Sequence, residues 1–185
     1  MDNTTLIVVV VAVVLVAAAL MLFLTRRRRT DALRQRFGPE YDRAVTTAGK
    51  VSEAERVLEE RAKRVAAFSL RGLTPEETDL FTTSWKNVQA RFVDDPRTAV
   101  LEADRLIGEV MQARGYPLEE PAKRLEDLSV EHGRVIEHYR AGRAIVVRHE
   151  QGQASTEDLR QAMVHFRLLF EELTARATAA VRRAS

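Results

Sequence analysis

The sequence predicts an all-α protein, with an N-terminal transmembrane helix followed by an irregular antiparallel helical bundle. Three observations predict it. Residues 6–24 are nineteen consecutive apolar side chains. Beyond them, apolar residues recur every three or four positions, the period of a helix with one buried face. No segment alternates convincingly at period two, so no sheet is expected.

The apolar run comes first. At a rise of about 1.5 Å per residue it covers roughly 28 Å, close to the ~30 Å hydrocarbon core of a bilayer. Valine is a poor helix former in water, but a single segment in lipid satisfies its backbone groups only as a helix. Arg26, Arg27, Arg28 and Arg29 follow it after one threonine. A secretory signal or a twin-arginine export signal carries its basic residues before the apolar run. Here the preceding residues are Met1-Asp2-Asn3-Thr4-Thr5. The positive-inside rule therefore places the arginines and everything after them in the cytoplasm, with residues 1–5 as a short extracytoplasmic tail. The expected setting is a bacterial inner membrane crossed once. The span holds no ionisable residue and no GxxxG seam, so anchoring is its expected role.

Residues 25–50 read as a basic juxtamembrane helix and linker. The first helix continues through Leu33 and Phe37 until Gly38-Pro39 interrupts it. Pro39 opens a short helix holding Tyr41 and Val45, which Gly49 ends. The helical domain follows over residues 51–175. Its first helix opens near Ser52 and places Ala54, Leu58, Ala62, Val65 and Phe68 on one side; residues 69–73 form a loop. Thr74-Pro75-Glu76-Glu77 is a helix start, with Thr74 as cap and Glu77 completing a capping box. Phe81, Ser84, Trp85, Val88 and Phe92 then share a face. Asp95 caps a further helix beginning at Pro96, with a stripe of Val100, Ala103, Leu106, Ile107, Val110 and Met111. Gly115 takes a left-handed position after it, and Pro117 prevents continuation. A shorter helix is expected over residues 118–128. Another spans 131–150 with Val135, Ile136, Tyr139 and Val146 inward, and Gly152 ends it. Ser155 or Thr156 caps the last helix, which buries Leu159, Ala162, Met163, Phe166, Leu169, Phe170 and Leu173. Residues 176–185 are expected to fray.

The chain carries 29 basic and 27 acidic side chains, net +2. Removing Asp2 and the four junction arginines leaves 25 basic against 26 acidic over residues 30–185. The basicity thus belongs to the membrane junction, and a nucleic-acid-binding domain, which needs a basic face, is not expected. Lysine supplies only four of the 29 basic residues, a bias that points to a GC-rich bacterial genome. With no cysteine, disulfides, thiol catalysis and thiolate metal sites are excluded.

No catalytic motif emerges. His132 and His138 lie six apart, on different faces of a helix, and do not have zinc-protease spacing. His149 and His165 fall on separate helices. The carboxylate pairs Glu59-Glu60, Glu76-Glu77, Asp94-Asp95, Glu119-Glu120 and Glu171-Glu172 read as helix starts or solvated faces. The Glu-x-x-His of di-iron bundles is absent, as are phosphate-binding loops and the G-x-S-x-G elbow. No cofactor or metal is expected. Phe81, Trp85 and Phe92 form an aromatic stripe that reads first as core and second as a partner-binding groove. Arg134, Arg140, Arg143 and Arg148 form a mildly basic run, read as partners of the domain's own acidic helices.

The segments Arg91-Phe92-Val93-Asp94-Asp95-Pro96, Ala103-Asp104-Arg105-Leu106, Met111-Gln112-Ala113-Arg114-Gly115-Tyr116-Pro117 and residues 155–167 carry a resemblance. Over residues 30–173 the chain resembles an uncharacterised group of bacterial proteins with one N-terminal span and a helical domain. That resemblance implies no activity and no site. The expected function is a non-enzymatic helical domain, anchored in the lipid bilayer, that binds a protein partner at the cytoplasmic face. The alternative is a small ligand or metal held inside the bundle by the histidines and by Tyr41, Tyr116 and Tyr139. The sequence does not specify the oligomeric state.

Overall fold

The computed structural model describes residues 3–117 and 120–184, with side chains for residues 11–117, 120 and 122–175. Among the described residues it is all-helical: α1 (Asn3–Phe37), α2 (Pro39–Ala48), α3 (Val51–Ala66), α4 (Pro75–Asp94), α5 (Pro96–Ala113), α6 (Pro121–Glu131), α7 (Ile136–Glu150) and α8 (Thr156–Ala184). The backbone of α8 runs to Ala184, while the side chains of the expected frayed tail lie outside the described residues.

Two apolar clusters organise the chain. The larger joins α4, α5, α7 and α8 through Phe81, Trp85, Ile107, Val110, Tyr139, Val146, Phe166 and Leu169. The smaller joins α1, α2, α3 and α6 through Leu33, Phe37, Tyr41, Leu58, Val65 and Val130. Phe68 and Leu70, just beyond α3, pack against both. The segment expected as juxtamembrane helix and linker thus supplies Leu33, Phe37 and Tyr41 to a core. Leu33 and Phe37 share one face of α1, and Tyr41 joins them from α2 after the helix breaks at Gly38.

The helix starts follow their sequence signals. Thr74 Oγ1 accepts from Glu77 N at 3.2 Å while Glu77 Oε2 accepts from Thr74 N at 2.9 Å, the reciprocal capping box. Asp95 Oδ1 accepts from Thr98 N at 3.1 Å. Ser155 and Asp158 repeat the reciprocal arrangement at the head of α8. Gly49, Gly115 and Gly152 all take positive φ after their helices.

The region around α6 and α7 differs from expectation. The helix expected over 118–128 begins instead at Pro121, with 118 and 119 outside the described residues, and runs to Glu131. The next helix begins at Ile136, not at Glu131. Between them the chain turns at His132, and Val135 N donates to His132 O at 3.0 Å. Gly133 explains the break. A Cβ there would lie 2.6 Å from the Phe37 carbonyl oxygen. The backbone crosses the end of α1 at a distance only glycine allows, and a continuous helix would carry it away from that contact.

Candidate functional site

The apolar run forms the first half of α1, and its described part is exposed all round: Val11 by 52%, Val16 by 67%, Met21 by 69% and Leu24 by 44%. Among the described residues, no helix is long and apolar enough to cross a membrane. Five of the nineteen apolar residues, 6–10, have side chains outside the described set. The fourteen that remain, 11–24, cover only about 21 Å.

The second half of α1 is locked to the domain. Arg29 Nε lies 2.5 Å from Glu59 Oε1. One turn back along α3, the buried Glu55 accepts from Thr30 Oγ1 at 2.6 Å and from Tyr41 OH at 3.0 Å. Burial, then the hydrogen bond and charge of Glu55, push the Tyr41 phenol above its ordinary value. Arg36 donates to Glu131 at 2.8 Å. Of the four junction arginines, Arg29 is thus tied to α3, while Arg26, Arg27 and Arg28 are exposed. One continuous helix therefore carries an exposed apolar half and a half that docks on the domain along the Leu33 and Phe37 face.

An ionic ladder ties α2, α3, α6 and α7 together. Buried Glu40 accepts from Arg140 at 2.8 Å and from Arg61 at 3.2 Å. Arg61 also reaches Glu126 at 3.5 Å. Arg64 bridges Glu126 at 3.1 Å and the buried Asp127 at 2.7 Å. Three of the four arginines of the predicted basic run are spent within the chain: Arg140 on Glu40, Arg143 on Asp104 and Arg148 on Asp158. Arg134 is exposed. The ladder borders a cavity of about 530 Å³ walled by Ala44, Ala48, Val57 and Leu125, with Glu40, Arg61 and Arg140 among its polar lining.

The aromatic stripe is core. Phe81 and Trp85 are buried, and the Trp85 ring stacks on Phe170 with centroids 4.7 Å apart. Phe92 is partly buried against the same cluster. These rings hold α4 against α8 and do not line an open groove. The three tyrosines of the ligand alternative are also dispersed. Tyr41 meets Glu55, Tyr139 OH donates to Asp104 at 3.0 Å, and Tyr116 is buried against Phe68. Burial is the main cause that raises the Tyr139 phenol above its ordinary value. None of the three lines the cavity.

The histidines are placed differently from expectation. His132 sits in the turn after α6, buried, with Nδ1 3.4 Å from Glu172 Oε1. His138 on α7 and His165 on α8 meet, with Nδ1 atoms 3.3 Å apart and ring centroids 5.5 Å apart. Burial, then the neighbouring His138, lower the pKa of His165. Sequence spacing compared His138 with His132 on its own strand of helix; its neighbour lies 27 residues away across the α7–α8 interface. A signal was present: both helices are amphipathic, and residues 138 and 165 each directly precede a core aromatic, Tyr139 or Phe166. Among the described residues, no three metal-ligating side chains converge.

In comparisons with known proteins, no family model, no curated protein and no solved structure matches the chain.

Proposed function

We propose that this is a single-pass anchored protein of a bacterial inner membrane, with its N-terminus outside, whose cytoplasmic bundle acts by binding a protein partner and not by catalysis. The observation that carries the reading is α1. Its apolar half projects without packing partners among the described residues, and such a surface is expected to be covered by lipid or protein. The nineteen-residue apolar length and the trailing arginines favour lipid with the domain inside. The docked half of α1, through Arg29–Glu59 and Arg36–Glu131, holds the bundle next to the bilayer in one orientation.

The partner face lies away from the aromatic stripe, which is consumed in the core. Among the described residues outside α1, Val93, exposed by 82%, and Leu80, exposed by 63%, are the most exposed large apolar side chains, on different sides of α4. A photo-crosslinking residue at Val93 or Leu80 of the full chain, irradiated in intact cells, is expected to yield a discrete protein adduct. A pull-down that recovers lipid but no protein above an anchor-deleted control counts against partner binding.

A second reading is favoured by the cavity beside the ionic ladder. Arg61 and Arg140 line it; Arg61 Nε is buried with no hydrogen-bond partner among the described residues, while Arg140 Nε faces Glu137 at 3.6 Å. An unspent guanidinium donor on Arg61 suits a small anionic ligand. Mass spectrometry of the purified full chain, before and after denaturation, tests this. Release of a stoichiometric small molecule supports it, and release of none counts against it.

A further inference from the structure

We propose that His138 and His165 form a two-histidine chelate for a late first-row divalent cation of the Cu²⁺ and Zn²⁺ class, bridging α7 and α8. At the observed Nδ1–Nδ1 separation of 3.3 Å, two metal–nitrogen bonds of about 2.05 Å subtend about 107°, close to the tetrahedral angle. With one ring protonated at Nδ1 and the other not, an N–H···N hydrogen bond holds the nitrogens at that separation. A modest turn of each ring converts that contact into convergence on a shared ion. Neither ring makes another hydrogen bond or ion pair among the described residues. Both are half-buried, so a cation reaches them from solvent.

The layer beneath them is closely packed, and this separates a site from a chance approach. Tyr139 and Phe166, the next residue on each helix, are both fully buried and pack with centroids 5.9 Å apart. Gly142 lets the Phe166 ring lie against the α7 backbone. These contacts fix the two helices at the spacing the histidines need, so little ordering cost remains for the metal. Imidazole donors suit Cu²⁺, Zn²⁺ and Ni²⁺; the observed spacing fits tetrahedral Zn²⁺, and tetragonal Cu²⁺, bound most tightly, would draw the nitrogens to about 2.9 Å. No third protein ligand converges there among the described residues, so solvent or an external ligand completes the coordination.

The test uses the full chain, free of any histidine tag, in detergent micelles titrated with Cu²⁺ and read by electron paramagnetic resonance. The expected result is one saturable site with hyperfine structure from two nitrogens. His138→Gln and His165→Gln are each expected to weaken binding by about tenfold or more and to reduce the signature to one nitrogen; His149→Gln changes neither. Bound Cu²⁺ is also expected to raise the Tm, by linkage, and the rise should vanish in either variant. Circular dichroism of each variant verifies its fold. A two-nitrogen signal that survives both substitutions in folded protein, or wild-type affinity no higher than that of the His138→Gln/His165→Gln chain, overturns the proposal.

Discussion

Gly142→Ala tests the close packing of α7 on α8. In an open helix interior the change stabilises by about 1 kcal/mol, because glycine carries the larger entropy loss. Here the new Cβ would lie 2.6 Å from Phe166 Cε1, 2.9 Å from Cδ1 and 3.2 Å from Cζ. Carbon pairs settle at about 3.5–4.0 Å, so the ring must retreat by roughly 1 Å. Phe166 is fully buried within the larger cluster, so a retreating ring would press on its neighbours there. Overpacking of this kind costs about 1–3 kcal/mol, which exceeds the propensity gain and leaves a net loss of about 1 kcal/mol. The assay is urea unfolding of the full chain in micelles, followed by circular dichroism. Phe166→Ala provides the second arm, since it removes Cδ1, Cε1 and Cζ. In that background Gly142→Ala should be neutral or stabilising, a coupling of about 1–2 kcal/mol. A gain of about 1 kcal/mol in the wild-type background, with additive behaviour in the double variant, would refute the argument.

Three further outcomes are expected. Glu40→Ala strands Arg140 and Arg61 beside the cavity, and urea unfolding should show a loss of about 3 kcal/mol, held to that level because Arg61 keeps Glu126 and Arg140 keeps Glu137; a loss below about 0.5 kcal/mol would show the ladder to be solvated. Thr74→Ala removes the acceptor for Glu77 N and should cost about 1 kcal/mol in the same assay. The Arg71 guanidinium, then the Thr74 backbone N–H, hold Glu77 at about 2 against an ordinary 4.5, so its contribution is complete above about 4.5 and is lost as pH falls toward 2. A Tm–pH profile should therefore decline across that window, and less steeply in Glu77→Gln, where Glu157, also held at about 2, still titrates.

Much of the fold was legible because its signals are local. Thr74–Glu77, Asp95, Ser155–Asp158 and the glycines after the helices each declare a terminus within four residues. The register of Phe81, Trp85 and Val88 declares a buried face, though not what covers it; that Phe170 stacks on Trp85 is a long-range fact. The turn at His132 was missed for the same kind of reason. Gly133 breaks the α6–α7 continuity because of Phe37, almost a hundred residues earlier, and nothing beside Gly133 in sequence records that crossing. The pairing of His138 with His165 is similarly set by how two amphipathic helices dock. Glu40 is the clearest case of a residue that spacing could not reveal: it reads as an ordinary acidic first-turn residue, but it is buried between Arg61 and Arg140 from two other helices.

The most direct measurement exploits the absence of cysteine. Single substitutions Thr5→Cys and Ser52→Cys in the full chain give one reporter on each side of the proposed span. Labelled in spheroplasts with a membrane-impermeant maleimide, Thr5→Cys should react at once, and Ser52→Cys only after permeabilisation. Fractionation of the chain away from membranes, or labelling of Ser52→Cys in sealed spheroplasts with Thr5→Cys protected, would contradict an anchored domain facing the cytoplasm.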